Sequence, residues 1–397
     1  LKNGATLDVV LAKSGENIFK VFVFDAVGGP ITFGEDKIII TRTAATVDAI
    51  PASHSIGIEV LDRLGGRPVL DYLIKSGDSL PKKGKKIFKA GEALKAGSSS
   101  SLNFKLWEGE IEDPITDNRP IGVLKISGSD FDEGIIPAGA DLECEYEILD
   151  SGNIVLEISV PSIGGTFNSD RNFYSRQEGQ MDYSSATAMV AEEGQRTMSR
   201  LDDIEEVVED PKLDQARQKL ETACSLDESE TEIEKSQEAM EKVYEAKKLL
   251  AQVRKEHLKE IRQLELDRTV EFFNDYLRQY ARPSEENTFD NLVKTAQRAI
   301  DRNDKAFENH HSELRGRLFE LLWRQDWFVI DRFKNMASSP HQFTDQLQFA
   351  ELVRIGNEFV RKGDIEGLRK VIGQLYGIQI TGASVDDMFD VANIIRG

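Results

Sequence analysis

The sequence predicts an antiparallel β-sandwich in the first half of the chain and a long α-helical region in the second. Three observations support this fold class. Residues 6–167 contain short β-branched or aromatic runs separated by glycine-containing turns. Residues 162–185 are rich in Gly, Ser and Asn and show no period. Later residues carry apolar side chains at three- and four-residue steps, as amphipathic helices do. We therefore expect a multidomain, β-then-α chain.

The strand prediction rests on short runs of high β-propensity, many of which alternate apolar with polar residues. The runs are TLDVVLA, NIFKVFVFDA, KIIITRT, HSIGIEVL, SLNFKLWEGE, IGVLKISG, DLECEYEIL and NIVLEISV. In LECEYEIL, every second residue is a glutamate, so one face of that strand should be buried and the other solvated. Many short strands at this spacing are typical of an antiparallel sandwich.

These patterns divide the chain into four segments. Residues 1–50 hold extra strands and a linker, and residues 51–165 form the β-sandwich. Residues 166–185 are a second linker. Residues 186–397 form the α-helical domain.

The helical region is expected to contain one very long helix. Residues 230–281 contain no proline or glycine, which would give about 75 Å of helix at 1.5 Å per residue. The apolar stripe of this segment is narrow and needs a partner helix, within the chain or outside it. Pro283 should then start a new helix with Ser284 as its N-cap. Two further helices should be separated at Gly363-Asp364.

Charge and cysteine content restrict the class of protein. The formal net charge is −20, which argues against nucleic acid as the main partner because phosphate binding needs a basic surface. No apolar run approaches the roughly 20 residues that span a membrane. The first residues, LKNGATLDVV, carry neither Met nor a signal pattern, so we expect an excised fragment. Cys144 and Cys224 have no metal-binding spacing and fit a reducing cytoplasm.

Sequence motifs for catalysis are missing. There is no P-loop, no strand–GxGxxG–helix unit, no GxSxG elbow and no HExxH. His310 and His311 are adjacent, and adjacent helical residues point about 100° apart, so a solvated helix face is expected rather than a shared metal ion. We therefore expect a binding protein, not an enzyme, with no metal and no cofactor in this chain.

Several segments of the strand region follow one another in the order of a known family. Between Ser53 and Gly165, the chain carries SIGIE, then LIKSGDSLPKKGKKIF, LNFKLWEGE, IGVLKISG and LECEYEILDSGNIVLEIS. This succession resembles the peptide-binding domain of the seventy-kilodalton heat-shock chaperones, the DnaK-like proteins. The matched stretch is under a third of the chain.

The resemblance implies a chaperone fragment that binds extended hydrophobic segments of unfolded polypeptides. Such segments would lie in a channel of the sandwich, covered by the helical lid. An ATPase domain upstream of this chain would regulate the channel, and ATP and magnesium would bind only there. The resemblance also implies a J-domain co-chaperone and a nucleotide exchange factor as partners, and a cytoplasmic, bacterial protein.

Matched position by position, the resemblance implies a channel made of three groups of residues. They are Ile58, Val60 and Leu61; Phe88, Lys89 and Gly91; and Leu102, Phe104 and Leu142. Lys89 would favour peptides with acidic flanks. The neighbouring lysines would form a solvated edge that discourages aggregation: Lys82, Lys83, Lys85 and Lys86.

The alternative is a scaffold protein with a degenerate channel. Large side chains at Leu102, Phe104 and Trp107 would narrow the pocket. The long helix would then mediate self-association or the docking of a partner protein.

Overall fold

The computed structural model places strands in the first half of the chain and helices in the second, as the sequence predicts. The structure describes residues 9, 13, 15–32, 34, 36–42, 50–62, 66–98, 100–168, 186–226, 232–343, 346–379 and 394–397. Most of the predicted strand TLDVVLA and of the linker 166–185 lies outside the described residues. Two compact units form, Leu1–Ile50 and Pro51–Gly397.

The first unit contains two small antiparallel ladders. Its described strands are β1 (Gly15–Lys20), β2 (Val23–Phe24), β3 (Pro30–Ile31) and β4 (Lys37–Arg42). β1 pairs with β4, and β2 pairs with β3. Consecutive residues of β4, Ile38 and Ile39, are 50 % and 57 % exposed, so both faces of that strand are open. Main-chain pairing, rather than side-chain burial, therefore defines these ladders.

The remaining strands belong to the second unit, except that the first of them begins at Ile50, the last residue of the first unit. They are β5 (Ile50–Pro51), β6 (Ile56–Leu61), β7 (Pro68–Ile74), β8 (Ser79–Leu80), β9 (Lys82–Ala90), β10 (Leu94–Lys95), β11 (Ser101–Glu108), β12 (Arg119–Ser127), β13 (Ile135–Ile136), β14 (Asp141–Ile148), β15 (Ile154–Val160), β16 (Gly165–Asn168) and β17 (Ile394–Arg396). Nine of them form one sheet in the order β12-β11-β6-β17-β9-β14-β15-β16, with β7 added to β6.

The last strand, β17, joins two four-stranded sets in this sheet. One set is β12-β11-β6-β7 and the other is β9-β14-β15-β16. Pairing within each set is antiparallel, but β17 lies parallel to β6. The predicted all-antiparallel order therefore has an exception. It arises because β17 comes from the far end of the chain and not from a hairpin.

Alternation along the strands produces one apolar core. In β14, Leu142, Cys144, Tyr146 and Ile148 are buried, as the sequence predicts. The glutamates between them face the lysines of β9, and Lys85 Nζ lies 2.7 Å from Glu143 Oε2. Exposed pairs of this kind each stabilise a fold by about 0–1 kcal/mol, whereas burying one large apolar side chain contributes about 1.5–3 kcal/mol.

Helices fill the rest of the second unit. They are α1 (Ala186–Glu205), α2 (Pro211–Cys224), α3 (Ile233–Glu256), α4 (Leu258–Phe272), α5 (Pro283–Asp301), α6 (Ala306–Trp323), α7 (Asp326–Ser338), α8 (Gln346–Lys362) and α9 (Ile365–Tyr376). In the part of the chain that the structure describes, no helix combines the length and apolarity that crossing a membrane requires.

The expectation of a single long helix is wrong. The predicted segment is divided into α3 and α4 at His257, whose φ of −114° and ψ of 41° are not helical. The break is held from α2, where Lys212 Nζ lies 2.6 Å from Glu256 Oε2 and His257 Nε2 lies 3.3 Å from Asp210 Oδ2. A tertiary contact thus ends a segment that has no helix-breaking residue.

Two other helix boundaries follow the sequence. α5 begins at Pro283 as predicted, although its N-cap is Arg282 and not Ser284. The break between α8 and α9 is confirmed at Gly363, whose φ is +69°. Glycine adopts this left-handed conformation without steric cost. The side chain of Asp364 then caps α9 by accepting the N–H of Gly367 at 2.9 Å.

The helices pack in three successive groups. α1–α3, α4–α6 and α7–α9 each surround a buried apolar cluster. The stripe of α3 is covered by α1 and α2, because Val243 and Val253 share a cluster with Leu220 and are fully buried. The partner that this stripe needs is therefore inside the chain.

A short 3₁₀ turn, Ile115–Asp117, connects the sheet to the helices. Arg200 of α1 donates two hydrogen bonds to Asp117, at 2.6 and 3.0 Å. Arg254 of α3 lies 2.9 Å from Asp113. A second contact joins β12 to the end of α9, where Lys125 Nζ donates to Gly377 O at 3.0 Å. Charged pairs thus fix where the helical region meets the sheet.

Two helical glycines differ in their surroundings and give a stability test. A Cβ on Gly356 of α8 would overlap the buried ring of Phe333, whereas one on Gly373 of α9 would meet nothing within 4 Å. We expect Gly356→Ala to lower the free energy of unfolding by about 1–3 kcal/mol through overpacking. Gly373→Ala should raise it by about 1 kcal/mol through helix propensity. Chemical denaturation followed by circular dichroism measures both, and equal shifts would contradict this packing.

Candidate functional site

Some of the predicted channel residues pair with β17, and others share a core cluster with it. We call the space between Leu61 of β6 and Phe88–Ala90 of β9 the β6–β9 slot. Leu61, Phe88 and Lys89 pair directly with β17. The others share its core cluster or follow β9. Buried in that cluster with Ile394 are Ile58, Val60, Phe88, Leu102, Phe104 and Leu142, and Gly91 follows β9 half-buried.

The slot holds β17 by main-chain pairing on both sides. Ile395 is the register partner of Leu61 in the parallel pair with β6. In the antiparallel pair with β9, Ile394 stands opposite Ala90 and Arg396 opposite Phe88. β11 covers only the first part of β6, with Leu106 opposite Ile58. The end of β6 at Leu61 is therefore the part that β17 pairs with.

One side chain of β17 enters the core. Ile394 is 0 % exposed, and Ala90 opposite it is also fully buried. The small side chain of Ala90 leaves room for the larger one of Ile394. Phe88 and Phe104 meet edge to face beneath the slot, with ring centroids 6.0 Å apart. An aliphatic residue buried in this way contributes about 1.5–3 kcal/mol.

A charged group lies at the other end of β17. Arg396 Nε is 3.4 Å from Asp71 Oδ2, and its guanidinium also donates to Leu70 O at 3.3 Å. Asp71 forms a second ion pair with Lys86 of β9. The predicted solvated edge is therefore wrong for Lys86, whose side chain is only 26 % exposed. Lys89 pairs with Asp141 at 2.7 Å.

The main chain approaches β9 closely after Arg396. A Cβ built on Gly397 would overlap the carbonyl oxygen of Ile87. Because that obstacle is backbone, it moves less readily than a side chain would. The slot therefore favours a residue without a side chain at this point.

β17, the strand that lies in the slot, was not predicted from the sequence. Ile394-Ile395 is a β-branched pair before an Arg-Gly, which is a strand signal too short to stand out. Ala90 and Asp71 were also missed. Asp71 interacts with Arg396 across most of the sequence, and no local pattern reports such a pair.

A second concavity lies where the helices meet the sheet. It has a volume of about 760 Å³ and is lined by residues of the 113–117 turn together with charged and apolar residues of the helices. Several of the charges are paired with one another: Lys247 Nζ lies 2.6 Å from Glu193, and Arg200 bonds to Asp117. These pairs support docking of the helices rather than recognition of a charged ligand.

Asp210, Glu256 and His257 could in principle hold a metal ion, since their ligand atoms lie within 4.8 Å of one another. Lys212 already supplies a cation there, with Nζ 3.5 Å from Asp210 and 2.6 Å from Glu256. The group is therefore explained by the break between α3 and α4.

No protein-family model matches this chain, and no curated protein matches it. The function is therefore argued from the geometry of the β6–β9 slot.

His311 borders the second concavity and is not on a solvated face, contrary to the sequence prediction. Its Nε2 lies 2.9 Å from Thr269 Oγ1, and its ring stacks on Phe307 at 5.4 Å between centroids. Burial, aided by the charge of Arg315, lowers the pKa of His311 to about 4. The folded protein thus holds this imidazole neutral at pH 7.

His311 gives a pH-dependence of stability with a definite sign. Its pKa is about 4 in the folded chain and about 6.5 when unfolded. Because the unfolded state binds the proton more readily, stability is lost as the pH falls from 6.5 towards 4. We expect this group to lower the free energy of unfolding by about 2 kcal/mol between pH 7 and pH 5.

The control is His311→Gln, which cannot titrate in this range. Urea unfolding at pH 7, 6 and 5 should show a pH slope smaller in the variant than in the wild type. Identical slopes would contradict a buried, neutral imidazole.

Proposed function

We propose that this chain binds extended polypeptide segments in the β6–β9 slot, as the peptide-binding part of a chaperone similar to the seventy-kilodalton heat-shock proteins. The observation that supports the proposal is β17. An extended segment lies in the slot, paired on both sides through its main chain and anchored by one aliphatic side chain, Ile394.

This geometry suits binding of many different sequences. Main-chain pairing is available to any extended peptide, so it contributes affinity without selecting side chains. Selection comes from the buried position that Ile394 occupies, opposite Ala90 and in the core cluster that contains Phe88 and Phe104. Unfolded chains offer extended aliphatic stretches, which folded proteins bury. The slot is thus adapted to hydrophobic segments of unfolded proteins.

The division of the sheet supports a two-layer sandwich with the slot at its open junction. Each four-stranded set is antiparallel, and β17 is the described strand that connects them. Residues of both sets, such as Ile58 and Leu142, belong to one core. Removal of β17 would leave main-chain groups of β6 and β9 ready to pair with another strand.

The remaining parts of the proposal concern the whole chaperone. The helical region would act as the lid, held to the sheet by Arg200 and Asp117. An ATPase domain outside this chain would control the slot and would bind ATP and magnesium. A J-domain co-chaperone and a nucleotide exchange factor would act on that domain, in the cytoplasm of a bacterium. We assign no catalysis to this chain.

A scaffold function is the second candidate, and exposed aromatic residues favour it. Tyr276, 62 % exposed, stacks against Phe272 after α4, and Trp327 of α7 is 53 % exposed. Exposed aromatic groups are common in protein interfaces. In this case, the helices would self-associate, and sedimentation would show an oligomer that Tyr276→Ser dissociates. If the wild-type protein stayed monomeric at all concentrations, self-association through the helices would be excluded.

Competition between peptides tests the slot. Binding of a fluorescent Leu-rich heptapeptide is measured by anisotropy for the wild-type chain and for its Ile394→Asp variant. At least one of the two proteins should bind the peptide. An unlabelled peptide Asn-Ile-Ile-Arg-Gly, the sequence of residues 393–397, should displace it. The matched peptide Asn-Asp-Ile-Arg-Gly should compete at least about 100-fold less well, because it would bury an unpaired carboxylate.

Two results would overturn the proposal. The first is that the labelled peptide binds neither protein. The second is that the two competitors displace it equally, since that would place the bound peptide outside the slot.

A further inference from the structure

We propose that β17 is a resident occupant that closes the β6–β9 slot within its own chain. A client polypeptide would then bind only by replacing residues 394–397. The inference rests on the proposed function, because closure has a consequence only if the slot also accepts other strands.

β17 occupies the positions that a client polypeptide would need. It uses the free edge of β6 at Leu61 and the edge of β9 from Phe88 to Ala90. Ile394 fills the buried position beside Ala90. A second strand cannot pair with the same edges at the same time. Occupancy by β17 and occupancy by a client are therefore mutually exclusive.

β17 is also a small element. It has three residues, and its three side chains are buried, half-buried and exposed in turn. Only Ile394 belongs to the core cluster. A strand that is anchored by one side chain can leave while the remainder of the core stays packed.

The carboxylate of Asp71 keeps a partner when β17 leaves. Asp71 pairs with Arg396 and, independently, with Lys86. When Arg396 leaves, Lys86 still neutralises this partly buried carboxylate. Release of β17 therefore avoids the unfavourable step of leaving an unpaired charge in the protein.

The chain can reach the slot from its own helices. Gly377, just after α9, accepts a hydrogen bond from Lys125 of β12. β12 pairs with β11, and β11 and β17 meet the same edge of β6 because β7 pairs along the other edge. About two to three strand spacings, or about 10–15 Å, therefore have to be crossed between β12 and β17. Residues 380–393 can span up to about 50 Å. A second copy of the chain is not needed to supply β17.

Peptide affinity tests the closure. Ile394→Asp places a carboxylate at the buried position and should expel β17, so the labelled Leu-rich peptide should bind at least tenfold more tightly than to the wild type. Ile395→Asp is the matched control, because that side chain is half-exposed and lies outside the core cluster. Ile395→Asp should change the affinity for the labelled peptide less than threefold.

The outcomes separate the two proposals. Equal binding to the wild type and Ile394→Asp would overturn closure while the proposed function stands. An absence of binding to both would overturn the proposed function itself.

A reversible disulfide tests whether β17 belongs to the same chain. Ile395 and Lys89 stand opposite each other in the antiparallel pair, where Cα atoms lie about 4.5–5.5 Å apart, as a disulfide requires. In a Cys224→Ser background, Lys89→Cys with Ile395→Cys should oxidise to a monomer that does not bind the peptide. Reduction should restore binding at least tenfold.

Non-reducing electrophoresis reads the connectivity. A cross-linked dimer would show that β17 is exchanged between copies and would overturn the assignment to one chain. Failure of the disulfide to form, or full peptide binding in the oxidised monomer, would overturn closure.

Discussion

The closed state of the β6–β9 slot depends on one strand that pairs with two edges at once. β17 runs parallel to β6 and antiparallel to β9, and each edge offers unpaired main-chain donors and acceptors wherever no strand covers it. Exposed edges of this kind attract other strands, which is a hazard in most proteins. Here the hazard and the proposed function have the same origin: an edge that binds its own strand is also suited to bind a foreign one.

Local signals predicted the strands and the burial of their apolar faces, whereas the candidate channel residues came from the resemblance to a family. Alternation in β14 identified Leu142 as buried, and glycine turns separated most of the strands. The occupant escaped prediction because Ile394 owes its burial to partners such as Ala90, far away in sequence. Short strands carry little local information, and the register that matters is set by tertiary contact.

The helical half shows the same division between local and distant causes. Pro283 and Gly363 act on their own backbone, so the boundaries they set were predictable. The break at His257 was not, because ion pairs from α2 hold it and no proline or glycine marks it. His311 similarly owes its environment to Thr269 and Phe307, and only the second of these is on its own helix. Periodicity indicates that a helix is amphipathic without indicating what covers its face.

The distance along the chain between β9 and β17 has a consequence during synthesis. β6 and β9 are complete once Ala90 has been made, whereas Ile394 follows much later. At about 5–20 residues per second, the ribosome needs roughly 15 to 60 s to translate the intervening segment. Through that interval a newly made molecule has the walls of the slot without the strand that fills it. If β17 closes the slot as proposed, each new molecule lacks its own occupant until synthesis ends, and the segments made in that interval are β10–β16 and then the helices.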